Sequence, residues 1–458
     1  MTKSIRNFLT LLYILRRLVF YKIFSLDGFY VPGIKVKILL FILSPINFLK
    51  KKPNDFGNSL RLFIAETGPI FIKFGQMLST RPDFVGEFIA KELVKLQDKL
   101  EIFSYEITKE VFQKDFGFPP ESKFKINPVP IASASVAQVY RWQNDKNISV
   151  AVKVLRPYVR QRYKKDIEFL YFLSSIAKKL TLFKNLNPTK LVEIFEKMMK
   201  KELNMKIEAS SADELRTNMK NDDIIIPKIY WEYVSENILV MEWIEGTPIY
   251  NIQKLFEYGL DLDSITKKIA IMFFNQAFRD GFFHADLHHG NILVTKSGKI
   301  ALIDFGIVAR LSEKDRIMVA EMLFCFLNQN YKRITELHIE GKIISEEIDI
   351  DLFTSYCRII GESLVGININ KISLAKLLGD LLKIVNEFQV TTQPQLFFLQ
   401  KTMLTVEGIS SSLNKESNIW KLIEPWITKW AVKNISPEAK LLRYIKKIAK
   451  ESLNIIKT

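Results

Sequence analysis

The strongest constraint on this chain is the segment HADLHHGNILV, residues 284–294, together with the IDFG sequence that follows it. Asp286 is followed five residues later by Asn291, and Asp304 lies 18 residues after Asp286. Between them, ILVT and KIALID are short apolar runs on either side of a KSG turn, a pattern that predicts a small hairpin. A hairpin fixes the separation of groups at its two ends, so Asn291 and Asp304 are expected close together.

The histidines of this segment allow a second interpretation. His284, His288 and His289 are spaced so that they could bind zinc from one helix. Gly290-Asn291 would end such a helix, however, and no further Cys or His lies nearby in the sequence. Zinc binding is therefore the weaker alternative.

The spacing D-x-x-x-x-N followed by D-F-G is that of the catalytic loop and metal-binding turn of protein kinases. Phosphoryl transfer from a nucleotide needs one carboxylate to orient the acceptor, and an amide and a second carboxylate to hold Mg²⁺ on the phosphates. The segment contains these three groups in the required order. It therefore favours a phosphoryl-transfer site.

Kinase chemistry also requires a lysine on an upstream strand and a glutamate on the helix inserted after it. Lys153 ends the sequence VAVK in a strand pattern, and Glu208 lies in the helical segment KELNMKIEAS. Met241 to Glu245 would form the hinge of a two-lobed kinase, which includes Trp243. Each of these residues alone has an ordinary structural explanation, and only their order indicates a kinase-like site.

One kinase element is missing, the glycine-rich loop before VAVK. In its place stands IASASVAQV, which contributes Ala132, Ser133, Ala134, Ser135, Val136 and Ala137. Small side chains still allow backbone N–H groups to approach phosphate, but alanine lacks the access of glycine to positive φ. No A-P-E sequence follows DFG, so the usual platform for a protein substrate is doubtful.

The hydrophobic pattern predicts an α+β, two-lobed fold with a helical N-terminal extension and a helical C-terminal part. Helices are expected over about 54–125, with breaks at Pro82 and Pro119-Pro120, over 158–184, 188–220 and 263–281, and throughout 311–458. Strands are expected at 136–142, 148–155, 224–233 and 237–243. Asn144 to Asn147 would form the turn of the first hairpin.

Basic charge is concentrated at the two ends of a chain whose formal net charge is +16. Residues 1–52 carry ten Lys or Arg against one acid, and residues 427–458 carry eight against two. These cations alternate with Leu, Ile and Phe, which favours amphipathic helices on an anionic membrane surface over a nucleic-acid partner. Helices packed on the main domain are the alternative.

No charge-free window of about 18 residues is present, so a spanning helix is not expected. Arg16 and Arg17 split the first apolar run, which argues against a secretory signal. Cys325 and Cys357 lie in apolar helical contexts and are expected in the core.

With these motifs in place, the chain resembles the UbiB family of atypical kinase-like proteins, the ADCK group, which supports ubiquinone biosynthesis. The resemblance covers about residues 30–415 and rests on KFGQ in FIKFGQMLSTRPDF, ASASVAQV, VAVK, KELNMKIEA, HADLHHGN and IDFG. It implies that Lys153 pairs with Glu208 and the nucleotide phosphates. It also implies that Asn291 and Asp304 hold Mg²⁺ and that Asp286 occupies the catalytic-base position.

The resemblance further implies a regulatory element. Lys73, Gly75 and Gln76 would belong to an N-terminal extension that folds over the active site and blocks protein substrates. The E-x-D motif of the family, which faces this element, is present here as Glu202-Leu203-Asn204. Asparagine removes a charge near the metal, so an altered preference for nucleotide or Mg²⁺ is expected.

We divide the chain into five segments on this basis. They are a basic amphipathic membrane-associating segment (1–52), a helical extension (53–127), a kinase-like N-lobe (128–245), a kinase-like C-lobe (246–415) and a basic amphipathic tail (416–458).

The implied function is ATP-coupled handling of polyprenyl-phenol intermediates of ubiquinone synthesis. ATP and Mg²⁺ would be its ligands, ubiquinone-biosynthesis enzymes its possible partners, and the cytoplasmic face of a bacterial inner membrane its location. Two alternatives stay open. One is a small-molecule or lipid phosphotransferase, because HADLHHGN also resembles the loop of aminoglycoside and choline kinases. The other is a pseudokinase scaffold that binds nucleotide without chemistry.

Overall fold

A computed structural model describes most of the central part of the chain. The described residues are 12–14, 16–17, 20–21, 56–79, 87–96, 102–133, 136–178, 188–220, 222–341, 343–344, 348–362, 377–380, 394–414 and 419–434. They fall into two compact units. The first lies within Met1–Ala209 and Ile229–Trp243, and the second within Ser210–Lys228 and Ile244–Thr458.

The helices of the described residues are α1 (Phe56–Thr67), α2 (Pro69–Ser79), α3 (Glu87–Leu93), α4 (Tyr105–Phe116), α5 (Val159–Ala177), α6 (Pro188–Glu202), α7 (Met205–Asn218), α8 (Ile252–Glu257), α9 (Leu262–Phe274), α10 (Glu313–Leu327), α11 (Tyr331–Glu340), α12 (Ile350–Glu362), α13 (Pro394–Leu413) and α14 (Ile419–Asn434). The strands are β1 (Phe124–Lys125), β2 (Ala132–Ser133), β3 (Ala137–Asn144), β4 (Ser149–Leu155), β5 (Ile224–Ile225), β6 (Ile238–Glu242), β7 (Thr247–Pro248), β8 (Phe282–His284), β9 (Ile292–Val294), β10 (Ile300–Leu302) and β11 (Val308–Arg310).

The first unit is built on an antiparallel sheet in the order β1-β3-β4-β6, with β2 paired to β3. The predicted hairpin is confirmed, because β3 and β4 pair over their length. Its turn is closed by the Asn144 side chain, which accepts the N–H groups of Lys146 and Ile148 at 3.0 and 2.9 Å. Phe112 of α4 packs on the sheet against Trp142, so helix and sheet share one core.

Two predicted elements differ from the structure. The single helix expected over 188–220 is divided, since α6 ends at Glu202 and α7 begins at Met205. The Asn204 Oδ1 atom accepts the Lys206 N–H at 3.0 Å, and an asparagine that caps backbone in this way favours a helix start. The strand expected over 224–233 is limited to β5 and is followed by a 3₁₀ turn over Trp231–Tyr233.

The second unit contains a four-stranded sheet in the order β5-β10-β9-β7 and a separate pair of strands, β8 and β11. The predicted β9–β10 hairpin is confirmed, with Leu302 opposite Ile292. Helix α9 continues into a π-helical segment over Asn275–Asp280 that ends at Gly281. A side chain at Gly281 would lie 2.7 Å from the Leu311 carbonyl oxygen, at a φ of +70° that favours glycine.

The described part of the predicted C-terminal tail is α14, which packs on the π-helical segment of its own unit. Trp430 contacts Phe278 at 6.1 Å between ring centroids, and the Trp426 indole donates to Asn275 Oδ1 at 2.7 Å. Most of 1–52 and residues 435–458 lie outside the described residues. Of the helices that the structure describes, none has the length and apolar character needed to cross a membrane.

Candidate active site

In the first unit, Lys153 and Glu208 form a buried ion pair. The Lys153 Nζ atom donates to Glu208 Oε1 and Oε2 at 2.9 and 3.0 Å. Lys153 lies on β4 between Val139 and Leu239 of the flanking strands, and Glu208 lies in the first turn of α7. The side chains are only 11% and 5% exposed, so each charge depends on the other for stabilisation.

The KFGQ sequence lies on α2 in the same unit, where Lys73 forms an ion pair with Glu202. Lys73 Nζ is 2.6 Å from Glu202 Oε1, and the side chains are 17% and 12% exposed. Phe74 packs edge-on against Phe195 of α6, which attaches α2 to the helix that carries Glu202. The second oxygen of Glu202, Oε2, is buried and has no hydrogen-bond partner among the described residues.

Gly75 and Gln76 have a different environment from Lys73. The Gln76 amide donates to the carbonyl oxygen of Leu96 at 3.1 Å. A side-chain carbon at Gly75 would lie 2.5 Å from Leu96 Cδ1. Gln76 therefore holds the chain segment after α3 against α2, and Gly75 leaves room for it to approach. This local packing was not visible in the sequence.

The predicted nucleotide-binding residues of the first unit lie on or beside its sheet. Ala132 and Ser133 form β2, Val136 and Ala137 are buried at the start of β3, and Ala134 and Ser135 lie outside the described residues. The Ser133 hydroxyl accepts from Arg156 at 2.7 Å. Met241 pairs with Ala151 across β6 and β4. The Arg141 guanidinium lies over the Trp243 ring, 4.8 Å from the ring centroid.

In the second unit, His284 organises the predicted catalytic loop. Its ring is fully buried, its Nδ1 atom accepts the Asp286 N–H at 3.1 Å, and its Nε2–H donates to the Asp304 carbonyl at 2.7 Å. Burial lowers the pKa of His284, which keeps the ring neutral and suits this pattern of one acceptor and one donor. The backbone N–H of His284 donates to Gln276 Oε1 at 3.0 Å.

The Asp286 carboxylate is paired with a lysine from a distant helix. Lys401 of α13 places its Nζ atom 2.9 Å from Asp286 Oδ1. Burial alone would raise the pKa of Asp286, but the charges of Lys401 and His288 outweigh it and lower the pKa below its usual value. Asp286 is therefore an anion throughout the neutral range.

Asn291 and Asp304 flank the β9–β10 hairpin, as predicted. The Asn291 Nδ2 atom donates to the Asp286 carbonyl at 3.0 Å, and the Ile303 N–H donates to the Asn291 carbonyl at 3.0 Å. Asp304 has a φ of 63°, an unusual conformation for a non-glycine residue, and its side chain is exposed. Strain of this kind often accompanies functional sites.

These two residues suit Mg²⁺ as ligands. The nitrogen of the Asn291 amide is used within the loop, so its oxygen is the atom suited to a cation, and Asp304 supplies a carboxylate. Mg²⁺ prefers oxygen ligands and usually takes only one or two carboxylates from the protein, with the rest from substrate phosphates and water. Among the described residues, no cluster of three or more His, Cys, Asp or Glu is placed to bind a metal ion.

The segment after DFG is short and structured. Strand β11 begins two residues after Gly306 and pairs with β8, and α10 begins at Glu313. The Ser312 side chain caps α10 by accepting the Asp315 N–H. This segment is too short to form the extended platform on which kinases bind a peptide.

Sequence reasoning missed three residues of the second unit: His284 as the organiser of the loop, Gln276 as its anchor, and Lys401 as the partner of Asp286. His284 follows the apolar pair Phe282-Phe283 in a strand, which was the available signal for its burial. No spacing rule connects Lys401 to Asp286, because 115 residues separate them.

A sheet with a Lys–Glu ion pair, and a hairpin that follows a catalytic loop, are typical of kinase-like proteins. Residues 95–338 match the ABC1 atypical kinase-like domain, and residues 357–418 match the UbiB helical domain. The chain belongs to the ABC1/UbiB family of atypical kinase-like proteins. The expected family and the α+β, kinase-like fold are thereby confirmed.

Individual relatives agree with this assignment. The chain is 35% identical over 406 residues to the probable protein kinase UbiB of Marinobacter nauticus, covering 87% of this chain and 74% of that protein. It is 34% identical to the protein of the same name from Pseudomonas fluorescens, with 87% and 76% covered. The solved complex of Rv3197 with erythromycin from Mycobacterium tuberculosis shares the fold, with a TM-score of 0.51, 22% identity, and 76% and 90% covered.

Proposed function

We propose that this protein is a Mg²⁺-dependent ATPase that supports ubiquinone biosynthesis at a membrane surface by ATP-coupled handling of polyprenyl-phenol intermediates. The observation that carries the proposal is the bonding of His284 to both Asp286 and Asp304, which holds the catalytic loop and the metal-binding turn together. Groups fixed in advance are what phosphoryl transfer requires from a protein.

In this proposal Lys153 binds the nucleotide phosphates, and Glu208 orients the Lys153 side chain. The alanine-rich segment, Met241 and Trp243 complete the nucleotide contacts. Asn291 and Asp304 hold Mg²⁺, which when bound neutralises charge on the phosphates. Asp286 orients a water molecule whose oxygen bonds to the γ-phosphorus as the bond to the bridging β-oxygen breaks. ADP leaves, and the water proton passes through the Asp286 carboxylate to the phosphate or to solvent.

One feature supports hydrolysis over transfer to a protein. The segment from Gly306 to Glu313 is held as a strand and a helix cap, which leaves no peptide platform. Lys401 also holds the Asp286 carboxylate in its charged form, in which it can accept a hydrogen bond from the attacking water.

The test is ATP hydrolysis by the full chain with Mg²⁺, with and without vesicles that contain anionic lipid and a phenolic ubiquinone-precursor mimic. We expect turnover that the vesicles stimulate and that Asp304→Asn lowers by about 10³-fold or more. Asp145→Asn, an exposed carboxylate in the β3–β4 turn, is the matched control and should retain full turnover.

Other outcomes would redirect the assignment. A phosphorylated phenol among the products would indicate a lipid phosphotransferase. Nucleotide binding without turnover under any condition would contradict the ATPase and leave a scaffold.

The charge distribution of the chain supports the proposed attachment to a membrane. Residues 1–52 carry ten basic residues against one acid among apolar side chains. Such segments bind anionic headgroups by charge and insert their apolar faces. We expect the protein to pellet with acidic-lipid vesicles at low salt and to be released in part at about 1 M salt, where charges are screened within about 3 Å. Failure to pellet at low salt would contradict attachment.

A further inference from the structure

Lys401 is a charged residue in the candidate active site that no sequence motif assigns, and the proposed function uses it only to hold Asp286. Its ammonium lies 2.9 Å from Asp286 Oδ1, and the two side chains are 33% and 28% exposed. The second oxygen, Oδ2, lies 3.9 Å from His288 Nε2. The carboxylate therefore faces a cation on one oxygen and an imidazole on the other.

The position of Lys401 is fixed by the helix that carries it. Leu399, Met403 and Val406 of α13 are 0%, 2% and 1% exposed, so the helix is anchored by its apolar face. Lys401 lies within the residues that match the UbiB helical domain, and Asp286 within those that match the kinase-like domain. The helical domain thus contributes a side chain to the catalytic loop.

Stability does not account for this ion pair. Pairs that are about a third exposed contribute little to folding, because water screens the charges and ordering the lysine costs entropy. The pair is nevertheless located on the one carboxylate that occupies the catalytic-base position. This location suggests that Lys401 takes part in the reaction at Asp286.

We propose that Lys401 is a further catalytic residue that contacts the γ-phosphoryl group during transfer; this inference rests on the proposed function. The oxygen that Asp286 orients lies within hydrogen-bond distance of its carboxylate and about 3–3.5 Å from the phosphorus at attack. An ammonium bonded to the same carboxylate, on a flexible four-carbon chain, is within reach of the phosphoryl oxygens.

The charge of the transferring group explains why a cation is useful there. Negative charge spreads over three equatorial oxygens in the transition state, and fixed cations that meet it stabilise this state more than the bound nucleotide. In the free protein the Lys401 ammonium donates a hydrogen bond to Asp286. During transfer it donates to the phosphoryl group as well. No covalent bond to Lys401 forms at any step.

The experiment compares the binding of ADP–Mg²⁺, which resembles product, with that of ADP–Mg²⁺–vanadate, which resembles the group in transfer. We expect Lys401→Met to weaken the vanadate complex by about tenfold or more and to leave ADP–Mg²⁺ binding within about twofold. Lys401→Arg should restore most of the difference because it keeps the charge. Lys429→Met, an exposed lysine on α14, is the matched control.

A second comparison separates a catalytic residue from one that only positions Asp286. In an Asp286→Asn background, Lys401→Met should still weaken the vanadate complex, because the contact with the phosphoryl group is independent of the carboxylate. If the effect vanishes in that background, Lys401 acts only through Asp286 and the inference is overturned. Equal vanadate affinity of the wild type and Lys401→Met would overturn it as well.

The outcome is also separable from that of the proposed function. A protein that binds the vanadate complex through Lys401 but hydrolyses no ATP contradicts the ATPase and retains the inference. A protein that hydrolyses ATP equally with Lys401→Met retains the ATPase and loses the inference. If the wild type binds ADP–Mg²⁺–vanadate no more tightly than ADP–Mg²⁺, the inference is overturned whatever the rate of ATP hydrolysis.

Discussion

Two of the lysine–carboxylate pairs that the structure describes have the same length and different surroundings. Lys153–Glu208 and Lys401–Asp286 both measure 2.9 Å. The side chains of the first are 11% and 5% exposed, whereas those of the second are 33% and 28% exposed. Distance alone therefore says little about what each pair contributes.

The difference follows from solvation. A buried ion has lost its hydration, so each member of the Lys153–Glu208 pair is stabilised mainly by its partner. Around Lys401 and Asp286, water still screens the charges, and the lysine can exchange one anion for another at little cost. The first pair is suited to holding Lys153 in one fixed position, and the second to changing partner during a reaction.

The largest expected effect comes from breaking the buried pair. Lys153→Met leaves the Glu208 carboxylate buried without its ammonium, which should lower the free energy of unfolding by about 3–5 kcal/mol. Urea denaturation of the full chain, followed by tryptophan fluorescence, measures this loss. The double variant Lys153→Met/Glu208→Met replaces both charges by apolar groups and should recover most of it.

This result would be contradicted if the single and double variants were equally unstable. Such a result would mean that the loss comes from packing around the longer side chains and that the ion pair is incidental.

The same comparison shows what a sequence can predict. Lys153 and Glu208 were identified because a strand pattern and a helix pattern are local and the kinase order connects them. That Asn291 and Asp304 lie near each other was predicted in the same way, since the β9–β10 hairpin brings the two ends together.

Contacts made by distant segments were not predictable from the sequence. The break between α6 and α7 depends on the Asn204 cap and on Arg160, which donates to the Leu203 carbonyl at 2.8 Å. Neither Lys401 nor the contact of Gln76 with Leu96 has a pattern that marks it. Each depends on how separate helices pack, and hydrophobic periodicity gives the buried face of a helix without naming its neighbour.

An intermediate effect is expected at His284, which sets the position of Asp286 and thereby the geometry of the second pair. His284→Phe keeps an aromatic ring at this position but leaves the Asp286 N–H and the Asp304 carbonyl without their partner. We expect a loss of about 1–3 kcal/mol in the free energy of unfolding. His289→Phe, whose ring takes no part in these bonds, is the control and should change stability less. Equal losses in the two variants would show that the loop does not depend on the His284 bonds.

The smallest effect is expected at Lys401 itself. Because the pair with Asp286 is about a third exposed, Lys401→Met should lower the free energy of unfolding by less than about 1 kcal/mol. The loss should shrink further at about 1 M salt, where surface charges are screened. Urea denaturation at low and high salt measures both quantities, with Lys429→Met beside it.

A loss as large as that of Lys153→Met would mean that the ammonium is required by the fold, and the contrast between the pairs would fail. A small, salt-dependent loss combined with weaker binding of ADP–Mg²⁺–vanadate would sharpen the contrast. The buried pair would then be the one on which the fold depends, and the exposed pair the one that contributes to the transition state with little effect on stability. A charge that contributes little to folding is free to change partner during a reaction, which is the property that Lys401 needs at the catalytic loop.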